Sequence, residues 1–589
     1  MSGMARRAGS PRGGMIEFCG LHAATAGWFF CGWIAAEPGW GATIGGAAVR
    51  VPATLQGGRI TVTAVVVAFD RPGAAAHGIG IVLYLADMPP GAGPWGRIEL
   101  TLGGEAVRLE VSPDLQPVLS AELAVRVRGM LSAAAGEPRQ MLLSILARRG
   151  YAGVDTLDAL GDPVRMGFDE VILCRPDGVV IIGWCLAAPG VVTAIWLCVG
   201  TERAALDLGR VVPVERLDVL DGVGVPLGLT NRHCGFVAFL PVTAGLNDPM
   251  YLQVETRSGE TGYFGLRPRG MVGLTAMRRI LEVFEVQYGA VRPAYDTVIG
   301  PALRRLNAMR LETRPPVTCI RFGTPLAAPR CTIVVPLHGR VDYLESQLGL
   351  MSGFAAAAGW EFIYVVDDPP RQQEAQALAE SVHARFAVPF TLLLLGENLG
   401  YAPANNIGLA YARGRHVCFL NSDVFPCAQD WLDRLCARLD ADDTLGAVSG
   451  VLLFEDGSVQ HEGMRLAAIP ALGGLLFPLH VRKGRRPRSG TGLDRADMLT
   501  GACIVMRRDV VAGLGGFDEG YIVGDFEDSD LCARLQAEGK GCAIDHEVQL
   551  HHLERQSQAG SDHRWRRNLT LYNAWRFNTR QGAGAALSP

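Results

Sequence analysis

No stretch of this 589-residue sequence supplies the roughly 20 apolar residues in a row that a bilayer span needs. Behind Arg6, Arg7 and Arg12, the run from Ala23 to Ala36 has the outline of a leader segment. Gly27, Gly32 and several aromatics interrupt it, so it reads as the first strands of a domain. There is no excess of positive charge: the formal net charge is −4, which removes the electrostatic case for a nucleic-acid partner. None of the fourteen cysteines forms a CxxC pair, so buried reduced thiols of a cytosolic protein are expected rather than a metal cluster or disulfides. A Gly-rich, basic triphosphate loop is missing too. Pro336-Leu337-His338-Gly339-Arg340, the segment placed to serve as one, is a poor match, which counts against a nucleotidyltransferase.

What is present is a globular composition, 49% hydrophobic and 19% charged, on a chain too long for one core. The expected organisation is a flexible tail over 1–14, a β-sandwich with helices over 15–160, a second over 161–310, a linker over 311–328, an α/β domain over 329–580, and a tail over 581–589. An apparent internal repeat supports the two sandwiches. Gly27-Trp28-Phe29-Phe30-Cys31-Gly32-Trp33-Ile34-Ala35-Ala36 recurs as Gly178-Val179-Val180-Ile181-Ile182-Gly183-Trp184-Cys185-Leu186-Ala187-Ala188. Short alternating runs punctuated by Gly and Pro follow each copy, such as Ile60–Val67 and Thr193–Val199. Helical periodicity then appears over Ser120–Arg149 and Leu274–Met309. Prolines 315, 316, 325 and 329 mark the linker.

From Cys331 the pattern alternates. Strands are predicted at Thr332–Val335, Glu361–Val366, Phe390–Leu395 and His416–Leu420, with helices at Val341–Ala357, Arg371–Phe386, Ala402–Ala412 and Ala428–Leu439. Such alternation predicts a mostly parallel sheet with helices on both faces, binding its ligand at the carboxyl ends of the strands. Asp367, Asp368 and Asp423 stand at such ends. Further on come the acidic cluster Asp525-Phe526-Glu527-Asp528-Ser529-Asp530 and the pair His551-His552. Carboxylates and an imidazole are what a divalent cation and a general base require.

These pieces, in this order, resemble an inverting family 2 glycosyltransferase with a GT-A-type (Rossmann-like) domain, over about residues 328 to 580. The resemblance implies a metal-dependent enzyme, of hexosyl- or rhamnosyltransferase type. It would move a sugar from a nucleoside diphosphate sugar (UDP or dTDP type) to a glycan or lipid-linked acceptor. Asn421 stands where the family has the first acid of its Asp-x-Asp motif, so the Mn²⁺ or Mg²⁺ load falls on Asp423 with His552, His551 being the fallback. The nucleotide side falls to Pro336, Asp367, Asp368, Asn398, Gly400, Asn405, Asn421 and Ser422. One carboxylate of the pair 367–368 would accept from the base's ring N–H, and Asn405 would face the donor. Asp528 is the implied general base and Glu527 the second choice, with Asp530 serving only the helix terminus. Leu499-Thr500-Gly501-Ala502-Cys503 resembles the loop beneath the donor sugar. The basic run His480–Arg488 reads either as a solvated mobile loop or as a clamp for an anionic acceptor. The expected setting is cytoplasmic, peripheral to the inner face of the cell membrane, in surface polysaccharide synthesis. The alternative is an inactive glycan-binding or assembly protein with a degenerate transferase domain, an idea that Asn421 keeps alive.

Overall fold

The structure is a computed structural model. It describes residues 12–582 except 23–24, 26, 36–47, 56–57, 71–77, 87–94, 103–104, 113, 119, 148–150, 152, 201, 259, 287–289, 354–358, 489–491 and 554–562. The two predicted tails lie almost wholly outside the described residues.

The first unit has seven strands: β1 (Arg12–His22), β2 (Gly27–Ile34), β3 (Ala48–Leu55), β4 (Gly58–Asp70), β5 (Ile79–Leu85), β6 (Trp95–Leu102) and β7 (Glu105–Glu110). They close into a barrel in the order 1-2-5-4-3-6-7, with β1 parallel to β7. The expected open sandwich is therefore corrected here: alternation in a strand shows two faces but not whether the sheet's edges meet. Ile16, Phe30, Ile81, Leu83 and Leu109 form one apolar cluster. Phe29, Val82 and Tyr84, on the opposite face, pack against the helices Ser120–Leu131 and Glu137–Ala147. The single helix expected over Ser120–Arg149 is broken at Gly136, whose φ of +92° suits glycine, with Pro138 just inside the second helix.

The second unit contains β8 (Val164–Leu173), β9 (Val179–Ala187), β10 (Val192–Val199), β11 (Glu202–Ala205), β12 (Val212–Val214), β13 (Gly235–Leu240), β14 (Met250–Thr256) and β15 (Thr261–Leu266). They form two four-stranded antiparallel sheets, 11-10-14-15 and 12-13-9-8, with one apolar cluster drawn from both. The sequence repeat has a counterpart in the ladders. β1 bulges between Ile16 and Phe18 opposite Gly32, and β8 bulges between Phe168 and Glu170 opposite Gly183. A Cβ on either glycine would strike a backbone carbonyl, that of Met15 at 2.0 Å or Gly167 at 2.5 Å. Both copies thus need a glycine at the same point of the same bulged pair.

The helices at Gly273–Glu282 and Gly300–Glu312, expected to finish the second unit, are shared with the next one. Their Ile280, Leu303 and Leu306 join Val180 and Val237 of the β9 sheet and Tyr572 and Trp575 of the C-terminal helix in one core. Polar contacts pin the layer: Tyr295 donates to the Asn568 carbonyl at 2.7 Å, and Asn568 donates to the carbonyls of Leu281 and Phe284.

The third unit is built on β16 (Thr318–Phe322), β17 (Cys331–Leu337), β18 (Trp360–Val366), β19 (Phe390–Leu394), β20 (His416–Leu420), β21 (Val424–Pro426), β22 (Leu445–Leu453), β23 (Val459–His461), β24 (Met464–Ile469), β25 (Leu475–His480), β26 (Leu493–Ala496), β27 (Cys503–Arg507) and β28 (Gly541–His552). The main sheet runs 16-19-18-17-20-27-22-28-21, with β23 on β22 and β26 on β28. β19, β18, β17 and β20 are parallel to one another and almost wholly buried, as strands covered on both faces must be. Beyond β20 the ladder reverses at β27, so the sheet is mixed rather than mostly parallel. The strand–helix alternation read from the sequence ends at 439; beyond it β27 runs antiparallel to β20 and β22, while β22 and β28 are parallel. β16 falls in the segment read as linker and closes one edge antiparallel to β19. Among the described residues no helix is long and apolar enough to cross a membrane. All fourteen cysteines are free thiols, most of them buried.

Candidate active site

Strand order places the chemistry. β17 to β20 run 3-2-1-4 in chain order, and the crevice at the reversal lies at their carboxyl ends. Asp367 follows β18 there and is buried. Its two oxygens accept from the backbone N–H groups of Leu399 (2.6 Å) and Gly400 (2.7 Å). Burial pushes its pKa up to about 7, against the pull of those two donors, His338 and Arg310. Asp367 thus fixes the chain's own loop at this corner. Its neighbour Asp368 takes the Gly339 N–H through one oxygen at 2.9 Å. The same loop is held from below by Arg310, which is 3% exposed and donates to the carbonyls of Asn398 and Leu399, each at 3.0 Å. Gly400 is required by geometry: its φ is +94°, and a Cβ there would lie 2.9 Å from Val523 Cα. Asn398 reaches His338 Nδ1 at 3.3 Å, at the open side of this corner. Pro336 is the half-buried penultimate residue of β17, paired with Val365.

Asn405 does not face the crevice. It lies fully buried on the helix Tyr401–Tyr411 and donates to the Tyr401 carbonyl, while its own Oδ1 has no partner. The helical period turns position 405 inward.

Asn421, Ser422 and Asp423 form the turn after β20. Asn421 is fixed through its backbone, its N–H donating to Ala502 O and its carbonyl accepting from Gln347 Nε2, both at 2.9 Å. The short strand β21 then pairs with the end of β28, setting Val424 opposite His552. Asp423 Oδ1 consequently lies 3.3 Å from His552 Nε2. The other ring nitrogen of His552, Nδ1, is 2.5 Å from Gln460 Oε1, and Gln460 Nε2 donates to the His552 carbonyl at 3.2 Å. That pair of contacts assigns the proton to Nδ1, so in the neutral ring the Nε2 lone pair looks at the Asp423 carboxylate. Two electron-pair donors at 3.3 Å sit close to the about 3 Å that separates neighbouring ligands of an octahedral ion with bonds of about 2.1 Å. His551 faces the other way, with Nδ1 on the Phe454 carbonyl. Among the described residues no group of three or more His, Cys, Asp or Glu side chains converges as a metal cage. A cation here would take its other ligands from a phosphate and water, as Mg²⁺ commonly does.

Asp528 opens the helix Glu527–Ala537. Its Oδ2 accepts from Gly501 N–H at 2.8 Å and its Oδ1 from Ser529 N–H at 2.6 Å, so the acid is tied to the loop ahead of β27. Burial raises its pKa, against these bonds. Glu527 is more deeply buried, its Oε2 has no partner, and burial followed by the charge of Asp528 pushes its pKa well up. Asp530 is tied to Arg534 (2.7 Å) and Arg580 (3.1 Å). The entry to this cluster is strained: Val523, Asp525 and Phe526 all have positive φ. The C-terminal helix holds that turn. Asn573 donates to the carbonyls of Ile522 and Gly524 and accepts the Ile522 N–H, and Thr570 donates to Asp525. Strain held in place by surrounding structure is typical of a functional turn.

Sequence reasoning missed Gln460, Arg310 and Asn573. Nothing flags Gln460, a single polar residue in a three-residue strand; Asn573, between Tyr572 and Ala574 on an otherwise apolar helix face, carries the weak signal of a polar residue in a core position.

A strand-end acid thus stands beside an imidazole at the carboxyl end of β20, and a second acid is tied to the loop ahead of β27. Residues 332–515 match the family model described as Glycosyl transferase family 2, so the resemblance read from the motifs holds on this segment. The chain is 29% identical over 231 residues to the O-antigen biosynthesis protein RfbC of Myxococcus xanthus, covering 39% of this chain and 18% of that protein. It is 29% identical over 280 residues to the uncharacterized protein y4gI of Sinorhizobium fredii (strain NBRC 101917 / NGR234), covering 45% and 29%. The chain thus spans less than a third of the length of these relatives. Among solved structures it is similar to GalNAc-T7 with UDP, GalNAc and Mn²⁺, at 17% identity, 42% and 47% coverage and a TM-score of 0.33. It is also similar to the mannosyltransferase PcManGT from Pyrobaculum calidifontis in complex with GDP-Man and Mn²⁺, at 16% identity, 53% and 88% coverage and a TM-score of 0.28.

Proposed function

We propose that the third unit is a metal-dependent inverting glycosyltransferase that takes a nucleoside diphosphate sugar, of UDP or dTDP type, and glycosylates a glycan or lipid-linked acceptor. The observation that carries this reading is the Asp423–His552 pair at 3.3 Å, with the imidazole oriented by Gln460. Asp423 and His552 would hold Mn²⁺ or Mg²⁺, which when bound neutralises the charge that develops on the departing diphosphate. Asp528 removes the proton from the acceptor hydroxyl as that oxygen bonds to the sugar C1 and the C1–phosphate oxygen bond breaks on the opposite face. Its three donors, Gly501 N–H, Ser529 N–H and Ser529 Oγ–H, fix the carboxylate's aim, and its burial raises its basicity. Glu527, whose deeper burial pushes its pKa well up, supports rather than performs the transfer. The corner formed by His338, Asp368 and Asn398 receives the nucleoside. The setting is cytoplasmic, peripheral at the inner face of the cell membrane, in cell-envelope polysaccharide synthesis by a hexosyl- or rhamnosyltransferase, with the two N-terminal β units serving glycan binding or assembly.

The test is hydrolysis of a panel of UDP-, dTDP- and GDP-sugars by the purified protein, with Mn²⁺ or Mg²⁺ and without, beside Asp528→Asn. One donor should turn over in a metal-dependent way, and the variant should lose about 10²–10⁴ in acceptor-dependent transfer. No turnover for any donor, with no nucleotide-dependent rise in Tm, would leave a binding protein instead.

A further inference from the structure

Across the sheet from the nucleoside corner, past Asp423 after β20 and Gly501 ahead of β27, lie β22 and β23. A donor seated from His338 to Asp423 leaves this side of the crevice to the acceptor. The basic run His480–Arg488 is built into it, not draped over it. Its backbone is laced to β23 by Gly484 N–H to Val459 O and Val459 N–H to Arg485 O, both at 2.7 Å. Arg482 closes the turn, with Nη2 on the Arg486 carbonyl at 2.7 Å and Nε on Glu462 at 3.1 Å. Arg488 takes the other oxygen of Glu462 at 2.7 Å and reaches Asp494 at 2.6 Å. Glu462 is 7% exposed, so two of the cations are spent on a buried anchor.

Arg485 and Arg486 are different. Both are exposed at the tip, and among the described residues neither guanidinium has an acidic partner. Their turn is bonded to Val459, next to the Gln460 that orients His552. A rigid tip that presents two adjacent unpaired guanidiniums suits an anion with several oxygens, because each planar fork can donate two parallel hydrogen bonds and little entropy is lost on binding. Exposed charge that serves solubility alone does not require the lacing.

Resting on the transferase reading above, we infer that Arg485 and Arg486 form an acceptor subsite for a phosphate or diphosphate group, so that the acceptor is a phosphorylated molecule rather than a neutral glycan.

Binding of inorganic pyrophosphate to the full chain is measured by calorimetry in EDTA, which keeps the metal-dependent donor site out of the signal. Wild type should bind, and Arg485→Gln/Arg486→Gln should bind about tenfold or more weakly. The Arg485→Lys/Arg486→Lys pair, which keeps the charges but not the planar forks, should recover only part of the affinity, and an unchanged Tm shows that each variant folds. Pelleting with phosphatidylcholine vesicles, with and without phosphatidic acid, separates the sources. Arginine-dependent pelleting by phosphatidic acid marks a lipid-borne phosphate, and pyrophosphate binding without pelleting marks a soluble acceptor. Wild type that fails to bind pyrophosphate, or a Gln pair that binds as well as wild type, overturns the subsite. A missing UDP–Mn²⁺ thermal shift in wild type would instead sink the transferase reading, so the two failures are distinct.

Discussion

Replacing Gln460 by Ala tests whether the Asp423–His552 pair is a metal site. Gln460 is 3% exposed and makes two contacts with His552, Oε1 to Nδ1 at 2.5 Å and Nε2 to the backbone carbonyl at 3.2 Å. Neither contact involves Asp423 or Nε2, so the substitution leaves both proposed ligands in place and removes the group that aims the ring. Loss of such an outer partner typically costs about 10–100-fold in metal affinity, or about 1.4–2.8 kcal/mol. The assay is titration of Mn²⁺ in the presence of UDP, followed by the loss of the free-ion electron paramagnetic resonance signal. Gln460→Glu provides the contrast. It keeps an acceptor for Nδ1–H but sets a carboxylate oxygen against the His552 carbonyl, so it should hold Mn²⁺ better than the Ala variant while lowering Tm. A folded Gln460→Ala protein with a Mn²⁺ Kd within about threefold of wild type would refute the assignment.

Other perturbations follow from the loop that Asp367 holds. The Asp367 carboxyl titrates near 3.8 when unfolded and at about 7 when folded, so the folded state keeps its proton over the range between. Its contribution to stability is full below 3.8 and is lost as pH rises through 7, a swing of about 4 kcal/mol at most. Thermal melts from pH 4 to 8 should therefore show wild type losing ground to Asp367→Asn, and parallel curves would contradict it. Gly400→Ala combines a positive φ with a collision against the Val523 backbone, whereas Gly539→Ala has a similar φ of +75° and open space. Urea unfolding should show the first costing more than the about 1–3 kcal/mol of backbone strain that the second isolates. Equal losses would mean that the collision relaxes freely.

The half of the catalytic sheet that obeys local rules was readable from the sequence. The strands at His416–Leu420 and Glu361–Val366 lie within a residue of their predicted bounds because buried parallel strands announce themselves as short apolar runs. Closure of the β1–β7 barrel was not readable, since it depends on pairing between the two ends of the unit. The site was legible as residue types and order, but not as partnerships. Asp367 was picked out as a strand-end acid, yet which donors reach it depends on a loop thirty-odd residues downstream. The choice between His551 and His552 is harder still. β28 carries three extra residues, His546 to Val548, where its register against β22 jumps from Gly450–Asp545 to Val451–Gln549. An odd insertion inverts which face each later residue occupies, so alternation read from the strand's start assigns the histidines the wrong way round.

The shared helical layer has a practical consequence for anyone who would isolate the transferase. The family match begins at residue 332, and the prolines from 315 onward invite a cut there. Such a fragment would lack Arg310, whose guanidinium carries the Asn398–Leu399 carbonyls, and Asn307, which donates to Glu519 O at 2.9 Å. It would also uncover the face of the C-terminal helix that carries Tyr572 and Trp575, the same helix whose Asn573 secures the strained turn before Asp528. A fragment that keeps this layer must therefore start no later than Gly273, about sixty residues ahead of the family match, and it would still bare the face that Val180 and Val237 of the β9 sheet cover, so the boundary drawn by ancestry is not the boundary drawn by packing.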